Sequence, residues 1–196
     1  MNLSLGEYSA LVAKAFRGAG YPWGLAEDAA WAARQLACSN PTSVGSVLAL
    51  LDAVDGSTLA MPDGLPDTWS EKAVPSETAV ASETAVALCP VCVGTVIVDT
   101  GLVPVGSFGP VLVPEMLEPF LREVGSYELT GSSRSPATVR IKELGLGSPE
   151  VGKSHDRVEI SEQDLEALER RAQRTYAPAT TESRNAGAGS DGSDND

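Results

Sequence analysis

Cys89 and Cys92, in "LCPVCVGTVIVD" (residues 88–99), stand three residues apart and are the closest-spaced pair of cysteines in the chain. That spacing suits a redox dithiol, half of a zinc site, or two small apolar residues entering a strand. A redox pair needs its first thiol at a helix N-terminus, where the dipole favours thiolate. The run from Thr95 to Asp99 is β-branched and apolar, so a strand is expected after Cys92. Val91 and Val93 add apolar neighbours, and the expectation is a pair of buried, reduced, unreactive thiols. A structural zinc site needs four ligands, and Cys38, Cys89, Cys92 and His155 supply that number without a second close-spaced pair. Cys89 and His155 are also the weak catalytic candidates, with Cys89 as nucleophile and His155 or a carboxylate as base. No resident metal or cofactor is expected.

"GSPEVGKS", 147–154, satisfies the phosphate-loop pattern. The chemistry requires a helix directly after Lys153, so that backbone N–H groups and the helix N-terminus cradle the phosphates. "HDRVEI" follows instead and reads as extended, so Lys153 is expected to bind no nucleotide. No serine stands in a G-x-S-x-G elbow.

Fourteen basic against 27 acidic residues give a net charge of −13, which repels phosphate backbones and anionic lipid. The expected partner is therefore a protein or a small molecule, with neither nucleic acid nor membrane involved. Lysine occurs only at Lys14, Lys72, Lys142 and Lys153, and this acidic, lysine-poor composition points to a halophilic protein. No run of 18 apolar residues exists, and the three cysteines are an odd count. The chain is expected to be cytoplasmic.

These side chains must be placed by an α+β chain. Ser4 and Glu7 form a capping box ahead of a helix whose Leu5, Tyr8, Val12, Ala15 and Phe16 share a face. A second helix, about 25–38, has a stripe of Leu25, Ala29, Ala32 and Leu36. Trp31 lies on its other side, near Glu27 and Asp28, either buried or exposed to a partner, and is a binding candidate. A third helix covers about 43–53, a loop 55–70, and a tandem hexapeptide "SETAVASETAVA" 76–87. Strands are expected at 95–99, within 102–113, and at 126–130, 138–142 and 157–160, with a short helix in "PEMLEPFLREVG". Ser161 caps a last helix with Leu165, Leu168, Ala172 and Tyr176 on one face. N-terminal helices, a mostly antiparallel sheet, a C-terminal helix and an extended tail complete the expectation. A single domain would span 1–177, and 178–196 would be an acidic Gly/Ser-rich tail, partly disordered, with Arg184 as a second binding candidate.

"AFRGAGYPWGLAEDAAWAARQLA" (15–37), "LCPVCVGTVIVD" and the closing "TYAPATTESRNAGAGSDGSDND" together resemble an uncharacterised prokaryotic family known as domain of unknown function 3726. The resemblance implies no established activity and no catalytic residue. It associates Cys89, rather than Cys92, with the family pattern, and it extends to the tail. The first expectation for function is a non-enzymatic binding or accessory protein. The alternatives are a small-molecule enzyme using Cys89 and a zinc-stabilised module.

Overall fold

The computed structural model describes residues 1–57, 66, 87–131, 134–144 and 154–176. The phosphate-loop lysine Lys153, the hexapeptide repeat up to residue 86, and the tail with Arg184 lie outside the described residues.

Strand β1 (Asn2–Ser4) leads into α1 (Leu5–Gly18). The capping box is present: the Ser4 backbone N–H donates to Glu7 Oε2 at 2.8 Å, and the Glu7 N–H donates to Ser4 Oγ at 3.2 Å. Tyr8, Val12, Ala15 and Phe16 are buried along one face, as the periodicity requires. Helix α2 (Trp23–Ser39) buries Ala26, Ala29, Ala30, Ala32, Ala33, Leu36 and Ala37. Alanine on that much of its circumference lets several elements approach its backbone closely, because interaxial distance follows side-chain size. Helix α3 (Val44–Val54) follows.

The strand expected at 95–99 is a helix, α4 (Pro90–Thr100). The β-branched run carries a preference of only about 1 kcal/mol on the scale of strand propensity. The ends of the segment decide against it. Pro90 occupies the helix's first turn, where its missing N–H costs nothing. Gly101 closes the other end with φ 67° and donates its N–H to the Ile97 carbonyl at 2.9 Å.

After α4 come β2 (Gly106–Val111), a 3₁₀ turn at Pro114–Leu117, α5 (Glu118–Val124), β3 (Tyr127–Thr130), β4 (Ala137–Glu143), β5 (Arg157–Glu159) and α6 (Glu162–Ala172). Pro119 sits in the first turn of α5, as its ring demands. One antiparallel sheet has the order β2-β4-β3, with Phe108 opposite Val139 and Leu129 opposite Ile141. Strand β1, which the polar start of the chain did not announce, pairs antiparallel with β5, Leu3 opposite Val158. Ser161 caps α6 by accepting from the Asp164 N–H at 3.1 Å. Leu168 and Ala172 are buried, but Tyr176 at the end of that face is 60% exposed. Its hydroxyl accepts from Lys14 Nζ at 3.5 Å instead of joining the core. Three salt bridges tie α6 and the turn after it to the end of α3: Arg171 to Asp52, Arg171 Nε to Asp55 at 3.6 Å and Arg174 to Asp55 at 2.5 Å. The described elements are thus N-terminal helices, antiparallel sheets and a C-terminal helix, an α+β arrangement.

Two apolar clusters form the interior. The larger joins α1, α2, α3 and α6 with Cys89, Val91, Cys92 and Phe120. The smaller joins Val93 and Ile97 of α4 with Leu117, Leu121 and the sheet residues Phe108, Val111, Val139 and Ile141. Helix α4 lies between the two and contributes to both.

Candidate functional site

The open site is a cleft between α2, α4 and α5. Its floor depends on Gly94, where a Cβ would lie 2.3 Å from the Phe120 ring. Glycine is therefore what lets the Phe120 ring lie against the backbone of α4. Seated there, Phe120 meets Trp31 of α2, with ring centroids 5.2 Å apart and planes tilted by 56°. The two rings form an aromatic wall. Asp28, Thr95, Val98, Asp99 and Glu123 complete a cavity of about 400 Å³. Asp28 and Trp31 are three residues apart on α2, and Thr95, Val98 and Asp99 share a face of α4 at helical spacing.

The Thr95 hydroxyl lies 3.0 Å from Asp28 Oδ2 and 2.9 Å from the Val91 carbonyl. One proton serves only one of these acceptors at a time, so an occupant that engages Asp28 leaves Thr95 free to bond back to its own helix. Among the described residues, none of Asp28, Asp99 and Glu123 is paired with a cation.

The other end of α4 is closed. Cys89 is the N-cap residue and Cys92 lies in the first turn, both fully buried and both free thiols. The Tyr21 hydroxyl is 3.1 Å from Cys89 Sγ. Tyr21 is held by its N–H to the Phe16 carbonyl at 3.0 Å and by an edge contact to the Phe16 ring at 4.8 Å. The neighbouring Cys92 thiol holds the Cys89 thiol below its ordinary value of 9. Burial opposes this, while the Tyr21 hydroxyl and the N–H groups of Cys92 and Val91 reinforce it. Cys92 moves the other way: its bond to Cys89 and its burial push it far up. Burial, and then the charge of Cys89, also raise Tyr21. The thiols are as buried as the sequence implies, but they open a helix and not a strand. The condition for unequal thiol acidity, which the expected strand denied, is therefore met.

His155 is not brought to Cys89. Its backbone N–H donates to the Cys38 carbonyl at 2.9 Å, at the C-terminal end of α2. Tyr21, which marks the Cys89 end, precedes the N-terminus of the same helix. A 17-residue helix is about 25 Å long at 1.5 Å per residue. Cys89 and His155 therefore form no nucleophile–base pair, and the four residues of the zinc set are not assembled around one point. Among the described residues, no group of three or more His, Cys, Asp or Glu side chains could hold a metal ion. Ser154 is followed by strand β5 and not by a helix, the geometry that the phosphate-loop reading lacks.

Sequence reasoning singled out Trp31 but missed Thr95, Asp99, Phe120, Glu123 and Tyr21. Read as a strand, Thr95 and Asp99 fall on one edge of no evident use. Read as a helix, they are one turn apart, which was the available signal.

Residues 3–61 match the family described as protein of unknown function (DUF3726), so the resemblance seen at residues 15–37 holds across β1, α1, α2 and α3. Cys89, Cys92 and the tail lie beyond the matched residues. No curated protein and no solved structure matches the chain. Among the described residues, no helix is long and apolar enough to cross a membrane.

Proposed function

We propose that the protein is a binding or accessory protein whose α2–α4–α5 cleft takes a small ligand, or a partner side chain, bearing an organic ammonium or guanidinium group. The observation that carries this reading is the meeting of Trp31 and Phe120 with three carboxylates that have no cation partner among the described residues, all around one cavity. An aromatic face attracts a cation by about 0.5–2 kcal/mol, more as the site is desolvated. Carboxylates at the rim supply the opposite charge, and the net charge of −13 draws cations from a distance. A cavity of about 400 Å³ suits a small molecule or the end of one long side chain.

The test is a heteronuclear NMR titration of the full chain with choline and with putrescine. Saturable shifts are expected at the Trp31 indole and the amides of Asp28, Thr95 and Asp99. They should be weakened about tenfold by Trp31→Ala, the equivalent of 1.4 kcal/mol. Shifts spread over the acidic surface without saturation would count against the reading.

A further inference from the structure

We infer that Cys89 and Cys92 are a peroxide-oxidisable dithiol in which Cys89 is oxidised first and Cys92 resolves it into an intramolecular disulfide. The inference stands apart from whatever the cleft binds. Its grounds are geometric. The two cysteines span the first turn of α4, from the N-cap to the third helical residue, and both are wholly buried. An i, i+3 pair across a helix start brings two Cα atoms within the separation a disulfide bridges. Cys89 alone receives the Tyr21 hydroxyl, and it stands at the positive end of the helix dipole. The pair is therefore built with one thiol favoured as thiolate and the other held protonated.

Burial selects the oxidant. Both residues are 0% exposed, and Tyr21 beside them is 5% exposed. A disulfide of peptide size cannot reach Cys89 without extensive unfolding. A hydroperoxide close to water in size needs only a local opening. In the first step the Cys89 thiolate attacks one oxygen of hydrogen peroxide. The S–O bond forms as the O–O bond breaks, and the departing hydroxide takes up the proton that Cys89 released and leaves as water. Cys89 is then a sulfenic acid. In the second step the Cys92 sulfur attacks the Cys89 sulfur. The S–S bond forms, the S–O bond breaks, and hydroxide leaves with the Cys92 proton as a second water. Two thiols lose two electrons and one peroxide gains them. The one-turn spacing of the two cysteines keeps the resolving step ahead of further oxidation of Cys89. Tyr21 loses its sulfur partner when the disulfide forms.

Cys38 is the internal control, since it is half-buried, belongs to the other end of α2 and has no cysteine beside it. The full-length protein is treated with hydrogen peroxide near neutral pH, alkylated after unfolding, and read by peptide mass. The expected product lacks two hydrogens in the peptide holding residues 89–92, leaves Cys38 alkylated, and reverts with dithiothreitol. In Cys92→Ser, a dimedone adduct is expected on Cys89. Full alkylation of both Cys89 and Cys92 in peroxide-treated wild type, with Cys38 oxidised instead, would overturn the inference. So would a dimedone adduct on Cys92 in Cys89→Ser that forms as fast as the adduct on Cys89. The wild-type mass measurement decides the matter even if either serine variant fails to fold.

Discussion

The first turn of α4 is sealed and its last turn is open. Pro90, Val91, Cys92 and Val93 are buried, whereas Val98, Asp99 and Thr100 face solvent. At the sealed end two thiols and a phenol share hydrogen bonds in a low-dielectric setting, so their proton affinities move far apart. At the open end, carboxylates surround an aromatic wall and stay wet, so their charge remains available to a visitor. One helix thus presents two settings that differ in access: a sealed start, for which we propose oxidation by a water-sized peroxide, and an open end, for which we propose an organic cation. Between the two ends, Gly94 lets the Phe120 ring pack against the backbone of α4.

The comparison breaks most severely at Phe120, which is 2% exposed and belongs to both the core and the cleft wall. Phe120→Ala should cost about 3–5 kcal/mol of stability in denaturant titrations, as large aromatic truncations in cores do. It should also abolish saturable binding of ammonium probes in protein that remains folded. Gly94→Ala comes next. Its methyl group would meet the Phe120 ring, and overpacking of this kind costs about 1–3 kcal/mol. Trp31 fluorescence should shift in the Gly94 variant as the ring pair opens, with Trp23→Phe and Trp69→Phe used to isolate the signal.

The sealed end is sharpened by pH. The Cys89 thiol is held below its ordinary value of 9 in the folded chain, so folding favours the thiolate. Its contribution to stability should be complete above about 9 and be lost as pH falls below that through the lowered folded value. Cys92, Tyr21 and Tyr8 are shifted upward and held neutral by folding, so each should subtract stability once its unfolded counterpart ionises, above about 9 for the thiol and 10 for the phenols. Thermal unfolding across this range should therefore show a maximum near pH 9. Tyr21→Phe removes one hydroxyl from Cys89 and should move the thiolate absorbance step to higher pH. An unchanged step would mean that Tyr21 has no hold on the thiol.

Much of this architecture could be read from the chain, and the failures share a cause. Ser4 with Glu7, and Ser161 ahead of α6, announce helix starts because a cap is a local bond between residues three apart. Helix α4 was misread because Val91, Val93, Thr95, Val96, Ile97 and Val98 favour a strand locally, while two apolar clusters on either side stabilise a buried helix. That single error carried over to the thiols, whose acidity depends on which element follows Cys89. Trp31 was identifiable from its place on α2, but its partner Phe120 lies 89 residues later. No local pattern connects them. His155 drew attention as the only histidine, and only the position of its backbone against Cys38 separates it from Cys89.

The smallest effect on stability belongs at the open end. Asp99→Asn should leave the unfolding free energy within about 0.5 kcal/mol, as exposed substitutions do. It should nonetheless weaken ammonium binding and flatten its dependence on salt.

The most direct measurement compares two ligands of one shape by isothermal titration calorimetry: choline, and 3,3-dimethylbutanol, in which carbon replaces the charged nitrogen. If the Trp31–Phe120 cleft and its carboxylates recognise positive charge, choline binds at one site, binding weakens with added salt, and the neutral analogue binds at least about tenfold more weakly. Equal binding of the two, or binding of choline that survives Trp31→Ala unchanged, would contradict the account.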